Sequence, residues 1–400
     1  MTNHLSPAAR DALSYPLPGA WMPLLPAGVA RLSAGYPFPE SVPVTGLLQA
    51  TGGLLTAEQD LPLHYLGSPS MAALPGLLGR RMAQRGMPVG EGELLVTSGA
   101  CQAIDLAARA LLGPDDLVAV EAPTYMEALE IFRNYTPHIV SYPVDEQGLD
   151  VAVMTADLER RRAAGAPLPK ALYTIASFQN PTGATLSLER RRLLLALAAE
   201  YGFIILEDDA YGELSFDAGA PPPLKALDGA DRVLYLGSLS KVVAPGLRIG
   251  WVAGLAPLVQ AMGVFKKDLD HPLGWSIAAR YLTDLDLEAR LAWLRQAYRQ
   301  RRDFLLAELT REMPAGVTWT TPAGGFFLWV TLPPGQDTAA LLPAALEAGV
   351  AYVPGRYFYF DQEAAGASRC LRLSFSYLPL DEIARGVKAL AGVLRQAGLG

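Results

Sequence analysis

Lys241 stands in the most unusual surroundings of any cation in this chain. Residues 233–251 read Val-Leu-Tyr-Leu-Gly-Ser-Leu-Ser-Lys-Val-Val-Ala-Pro-Gly-Leu-Arg-Ile-Gly-Trp. An apolar run breaks at Gly237 into a loop carrying Ser238, Ser240 and Lys241, and Arg248 precedes a second apolar run. The lysines are Lys170, Lys225, Lys241, Lys266, Lys267 and Lys388, and of these Lys241 alone lies between apolar runs. Two hydroxyls, an amine and a guanidinium at a strand end suit an anion held beside a nucleophile. A lysine that is desolvated or close to another cation loses its proton more readily and can form a Schiff base. A solvated surface lysine is the ordinary alternative. Arg248, seven residues on, is either that second cation or the anchor of a bound phosphate, with Ser238 and Ser240 adding hydrogen bonds.

Other candidates lie at similar junctions. The apolar run Phe203–Leu206 empties into Glu207-Asp208-Asp209-Ala210-Tyr211. A carboxylate drawn to a buried strand end is costly unless paired, and a protonated ring nitrogen is a partner that offsets the cost for Asp208. A turn or N-cap role accounts for one of the three acids without any ligand. Asn180 sits in Gln-Asn-Pro-Thr-Gly, where ordinary turn chemistry competes with ligand contact. Tyr211 and Tyr125 could each face a flat ligand or pack as aromatics. Ser98-Gly99-Ala100 opens a predicted helix, whose free N–H groups make a phosphate site. Arg372, in Leu-Arg-Leu-Ser-Phe-Ser, calls for a carboxylate held bidentately, or for an edge strand open to water.

Positioning these groups takes alternating strands and helices. Strands are predicted at 94–96, 117–120, 171–175, 203–206 and 233–236, with helices over 72–86, from 98–100 to 112, from 125 to 135, and from the Ser187 cap to Gly202. Continuously apolar strands alternating with helices indicate an α/β domain whose mainly parallel sheet is covered on both faces. Ligands of such sheets bind outside the carboxyl ends of the strands. The candidates fall on the loops after those strands: 98–100, 123–125, 177–183, 207–211 and 237–241. Beyond residue 255 a long helix over 285–312, strands at 326–332, 352–354 and 371–375, and a helix over 381–396 predict a smaller α+β domain. Arg290, Arg295, Arg299, Arg301 and Arg302 on the long helix read as a solvated face. The Pro- and Gly-rich residues 1–45, with Trp21, Tyr36 and Phe38, predict an arm packed on the smaller domain. The expected division is therefore 1–45, 46–285 and 286–400.

Composition narrows the function. A chain of 400 residues, 51% of them hydrophobic, can bury a large core. Its net charge of -7 argues against a nucleic-acid partner. Cys101 and Cys370 cannot form a disulfide framework, so a reducing cytoplasm is expected. No secretory pattern and no apolar run of ~20 residues points to a membrane. His4, His64, His138 and His271 are scattered, and no metal site is expected.

Asn180-Pro181-Thr182-Gly183, Asp208-Asp209-Ala210-Tyr211, Ser238-Leu239-Ser240-Lys241 with Arg248, and Arg372 occur in one order along the chain. In order and approximate spacing they resemble the motifs of the fold-type I pyridoxal-phosphate aminotransferases, class I/II. The resemblance runs from about residue 31 to the C-terminus. It looks closest to the branch of aminoadipate and kynurenine aminotransferases, which also holds effector domains of GntR-type regulators. It implies a large domain with a mainly parallel seven-stranded sheet, a small α+β domain, and pyridoxal 5′-phosphate as cofactor. The implied activity is ping-pong transfer of an amino group between an L-amino acid and a 2-oxo acid, with 2-oxoglutarate or pyruvate as acceptor.

Residue by residue, the resemblance implies Lys241 as the lysine that binds the cofactor covalently and then shuttles a proton. Asp208 would pair with the ring nitrogen, and Asn180 and Tyr211 with the ring hydroxyl. Ser98, the backbone of Gly99 and Ala100, Ser238, Ser240 and Arg248 would hold the phosphate, while Tyr125 stacks on the ring. Arg372 would bind the substrate α-carboxylate beside Asn180, Gly35 and Tyr36. Tyr65 matches a tyrosine that reaches the phosphate from the partner subunit, implying a homodimer with shared sites. Two departures stand out. Cys101 and Gln102 follow Ala100, where relatives place other polar residues. In the arm, with Pro18, Trp21, Pro23 and Pro26, Arg31 is the nearest candidate for a distal substrate carboxylate and no convincing match, while Trp21, Tyr36 and Phe38 point to an apolar or aromatic side chain. A C–S β-lyase would use the same Lys241–Asp208 pair. A cofactor-sensing regulator domain would need a basic helix-turn-helix, which residues 1–45 do not spell.

Overall fold

The computed structural model describes residues 28–399 except 218–219 and 268–269, together with His4, Arg10, Leu13 and Leu25. Trp21 and the prolines at 18, 23 and 26 lie outside the described residues.

The large sheet has strands β1 Leu94–Thr97, β2 Leu117–Ala122, β3 Ile139–Asp145, β4 Gly148–Leu149, β5 Pro169–Thr174, β6 Ile204–Asp208, β7 Val233–Ser238 and β8 Gly250–Ala253. They lie in the order β1-β8-β7-β6-β5-β2-β3-β4. From β7 to β3 neighbours run parallel. β8 is antiparallel to both β7 and β1, and the short edge strand β4 folds back on β3. The seven strands of the expected sheet are therefore joined by one two-residue hairpin strand. β3 escapes sequence patterning because it is polar on alternate positions and carries Pro143, features suited to a strand near an edge.

Successive residues of the central strands serve opposite layers, which is why these strands are apolar throughout. Val118, Tyr173 and Leu206 pack with Ile104, Leu129 and Phe132 on one face. Ala119, Leu172 and Ile205 pack with Met154, Leu158 and Leu194 on the other. Ser187 caps the helix Leu188–Tyr201 by accepting from Arg190 N, and Gly202 ends it in the left-handed conformation. Helices at Val44–Glu58, Val151–Ala164 and Pro272–Asp284 add to this part of the molecule, whereas Thr338–Glu347 packs on Val350–Ala351 and on the helix Leu380–Gln396.

Arg191 is a wholly buried cation on the Leu188–Tyr201 helix. Its guanidinium donates to Leu186 O, Ala176 O, Ser177 Oγ and Pro222 O, and lies 3.6 Å from Glu207. Arg191→Met leaves those carbonyls and a buried carboxylate without their partner. The expected cost is about 3–5 kcal/mol, read as a lowered denaturation midpoint; an unchanged midpoint contradicts this account.

The smaller sheet has β9 Thr318–Trp319, β10 Phe327–Thr331, β11 Val353–Pro354 and β12 Cys370–Ser374, antiparallel throughout in the order β9-β10-β12-β11. Ala30–Arg31 pairs in parallel with Val350–Ala351, and Ser374 N donates to Leu32 O at 2.6 Å. The described end of the arm thus lies on the smaller sheet's side of the molecule. Of the arginines expected on a solvated face of the helix Leu287–Glu312, Arg299 is exposed and the other four depart from it. Arg290 donates to Val242 O and Ser41 O, Arg295 to Glu213 O, Arg301 to Leu378 O, and the buried Arg302 to Pro322 O. Loops from several parts of the chain reach this helix, and its long side chains satisfy their carbonyls. No helix among the described residues is long and apolar enough to cross a membrane.

Candidate active site

A cavity of about 280 Å³ opens where β6 and β7 end, and Phe327 and Arg372 of the smaller sheet close it. Loops from distant parts of the chain converge there, as the switch from apolar strand to polar turn predicts.

Lys241 lies three residues past β7. Its Nζ donates to Gly35 O at 2.9 Å and sits 5.8 Å from the Tyr211 ring centre. Burial, and next the charge of Arg372, lower its ammonium to about 8. Gly35 is needed at that position for space, since a Cβ there would lie 2.6 Å from Phe327 Cζ.

Asp208 is the last residue of β6 and only 5% exposed. Its Oδ2 accepts from Tyr173 Oη at 2.6 Å, while the buried Oδ1 has no partner. Burial pushes the carboxyl up to about 6. The flanking acids have other work. Glu207 accepts from Leu224 N and Lys225 N at 2.6 and 2.9 Å, at the start of a short helix. Asp209 pairs with Arg85 at 2.6 Å and accepts from Tyr235 Oη at 2.8 Å. Two of the three acids are thus structural, one more than turn chemistry alone suggests. Alternation along β6 turns them away from the cavity that receives Asp208.

Arg372 occupies β12, an interior strand between β10 and β11, so the edge-strand alternative fails. It donates to Asn180 Oδ1 at 2.8 Å and Ser33 O at 2.9 Å, and its Nε has no partner. The guanidinium stacks 4.0 Å from the Phe327 ring centre, and burial lowers it to about 10. A buried guanidinium satisfied only by neutral acceptors is poised for an anion. Asn180 is placed by its neighbour: Gln179 donates to Glu121 Oε2 and Pro123 O and accepts from Thr182 N.

On the opposite side, Gly99 has φ +86 and leads into the helix Ala100–Leu111 without a side-chain cap. Any side chain on Gly99 would meet Arg248, because its Cβ would lie 2.7 Å from Arg248 Nη2. Arg248 donates to Ser98 O at 3.0 Å, and Ser240 N donates to Ser238 Oγ at 3.1 Å. Open helix N–H groups beside a guanidinium form an anion site. Ala100, Ser238, Ser240 and Arg248 line the cavity; Ser98 and Gly99 stand just behind it. Gln102 turns back to accept from Ser98 N at 2.7 Å, whereas Cys101 faces the cavity.

Tyr125 and Tyr211 both line the cavity, Tyr211 edge-on to Phe326 and Phe327. Tyr36 stands at its mouth, edge-on to Tyr377 with ring centres 6.0 Å apart. Arg31 is exposed and is not part of the cavity wall. Tyr65 is 92% exposed and away from the cavity of its own chain. Sequence patterning did not single out Glu127, Tyr173 or Phe327. Each lies two residues from a recognisable feature on an alternating or helical stretch, where spacing alone does not say which side faces the site.

The family profile of aminotransferase class I and II matches residues 71–390. The chain is 37% identical to the aromatic-amino-acid aminotransferase 1 of Thermococcus litoralis over 92% of this chain and 88% of that one. It is 35% identical to the 2-aminoadipate transaminase of Thermus thermophilus, over 92% and 90% respectively. The kynurenine aminotransferase of Pyrococcus horikoshii, solved with PMP, superposes with a TM-score of 0.87 at 37% identity, covering 93% of this chain and 92% of that one. The residues present fit such a cofactor. The orphaned Asp208 Oδ1 is the acceptor that a protonated ring nitrogen requires, and the Gly99–Arg248 corner suits a phosphate. With that fit and more than nine-tenths of its length matched, the chain belongs to the class I and II aminotransferases and is a pyridoxal-phosphate-dependent transaminase.

Proposed function

We propose that Lys241, Asp208 and Arg372 divide the transamination chemistry among them, and that the amino donor carries an apolar or aromatic side chain. The observation that carries this assignment is the unpartnered Asp208 Oδ1 in the same cavity as the Lys241 amine and the Arg372 guanidinium. Pyridoxal phosphate supplies the electron sink that makes the Cα proton of an amino acid removable. Asp208 holds a proton on the ring nitrogen, since a buried carboxylate gains most from a charged partner. Lys241 Nζ, neutral once deprotonated, binds the cofactor and later carries the Cα proton. Arg372 clamps the α-carboxylate with Asn180 beside it, and Gly35 and Tyr36 border the side-chain space. Asn180 and Tyr211 serve the ring hydroxyl, Tyr125 the ring face. Ser98, Gly99, Ala100, Ser238, Ser240 and Arg248 serve the phosphate.

The same proposal includes a homodimer acting in the cytoplasm. Leu63, Tyr65 and Leu66 are more than half exposed together, an apolar patch suited to a second copy whose cavity Tyr65 would reach. The cofactor-binding domain would span 46–285 and the smaller domain 286–400, with residues 1–45 as an arm on the latter. The Ala30–Arg31 pairing supports that division. The acceptor is 2-oxoglutarate or pyruvate.

A half-reaction screen tests the donor assignment. Holoenzyme mixed with one amino acid at a time is expected to lose its lysine-bound absorbance fastest with leucine-, methionine- or phenylalanine-like donors, and to stop after one conversion. Fastest conversion by dicarboxylic donors overturns the assignment, as does continuous release of pyruvate and ammonia. The lowered Lys241 gives a pH dependence as well. Its amine is protonated below about 8 and neutral above. Uptake of pyridoxal phosphate by the apoprotein needs the neutral amine, so its rate should rise with pH and level off above that value. Arg372→Gln removes a depressing charge and should move the midpoint upward. A rate flat from about pH 6 to about pH 10 contradicts this.

A further inference from the structure

Glu127 is a carboxylate in the cavity wall that the assignments above leave without a task. It is the second residue of the helix Met126–Arg133. Tyr125 Oη donates to its Oε2, and Cys101 Sγ donates to the same oxygen at 3.2 Å. Burial pushes the Cys101 thiol up to about 12 and holds the Tyr125 phenol well above its usual value, so both neighbours keep their protons and remain donors. Two donors on one oxygen fix the carboxylate in place.

The cations lining the cavity are Lys241, Arg248 and Arg372. The proposed function commits them to the cofactor amine, the phosphate and the α-carboxylate. Arg31 points to solvent, and residues 11–30 contain neither lysine nor arginine. Among the described residues of this chain, a second substrate carboxylate would therefore enter a space with no uncommitted cation on its wall and one fixed anion.

We propose that Glu127 sets substrate charge, rejecting amino and oxo acids with a second carboxylate and admitting those with apolar, aromatic or hydrogen-bond-donating side chains. This rests on the assignment of the cavity as the substrate site. Like charges brought close in a partly desolvated site oppose binding, and a donor such as an aromatic amine would gain an acceptor. Of the two acceptors, pyruvate is favoured over 2-oxoglutarate.

The test measures binding rather than turnover. Holoenzyme is titrated with glutarate and with 4-methylpentanoate, carboxylates that have no amino or oxo group to react, and dissociation constants are read from cofactor absorbance and calorimetry. Glu127→Gln is expected to shift the affinity ratio roughly tenfold toward glutarate, the order of one partly screened like-charge contact. Glu127→Asp keeps the charge and should keep the ratio within about twofold of the parent. An unchanged ratio in Glu127→Gln, or an equal shift in Glu127→Asp, overturns the proposal; the latter would mean packing rather than charge. Failure of the underlying site assignment looks different: Arg372→Gln would then bind 4-methylpentanoate as well as the parent does.

Discussion

Lys241→Ala should remove the absorbance of lysine-bound cofactor and lower kcat by about 10⁴-fold or more, the upper range for loss of a positioned proton carrier. The amine is doubly implicated. It is buried beside the Tyr211 and Phe326 rings, and burial together with Arg372 brings it to about 8, where a neutral nucleophile is available near neutral pH. It also lines the same cavity as Gly35 and Asp208 and donates to Gly35 O. The side chain packs on aromatic faces and makes no ion pair with any of the described residues, so its loss should leave the fold intact. Far-UV circular dichroism and noncovalent cofactor uptake check that point. Retention of the lysine-bound band with normal turnover would remove Lys241 from the mechanism altogether.

Asp208→Asn should lower kcat by about 10²- to 10⁴-fold. Uncoupling a buried charge pair costs about 3–5 kcal/mol, at 1.36 kcal/mol per factor of ten. Asparagine keeps an oxygen for Tyr173 but cannot hold a proton on the ring nitrogen by charge. The same substitution should have the opposite effect on the empty protein. In the folded chain burial raises Asp208 from 3.8 to about 6. Between those values the folded state holds more protons than the unfolded one, so the apoprotein loses stability as pH rises through that window. Asp208→Asn abolishes that loss. Reduced activity with a raised apoprotein denaturation midpoint above pH 6 is the expected signature. A fall in both would mean that Asp208 is structural, like its neighbours Glu207 and Asp209.

Strained or costly groups mark the site generally. Asp208 Oδ1 and Arg372 Nε are buried polar atoms without partners, both at the cavity. Among the described residues Asp208 Oδ1 is the one buried carboxylate oxygen left without a partner, whereas Glu207 is satisfied. Arg232 Nε and Arg356 Nε also lack partners away from the cavity, so it is the carboxylate that marks where a ligand contributes the missing contact.

Much of this was legible in the sequence. Continuously apolar runs ending in polar turns specify parallel strands covered on both faces, and the physics of burial leaves reactive groups only at the strand ends. Lys241, Asp208, Asn180 and Tyr211 follow from that rule, whereas Arg372, inside the antiparallel β12, and Arg248, ahead of the antiparallel β8, come from the family resemblance that the order of the motifs carries. Tertiary structure decided what local pattern cannot carry. Which acid of Glu207-Asp208-Asp209 faces the cavity depends on alternation along β6 and on Arg85 arriving from a helix far back in the chain. The arginines at 290, 295, 301 and 302 bind loop carbonyls instead of water because loops distant in sequence are brought against their helix. Glu127 faces the cavity because Tyr125 and Cys101, distant in sequence by more than a helix, meet across one carboxylate. Spacing names the residues able to do chemistry, whereas their partners come from segments that only folding brings within hydrogen-bond reach.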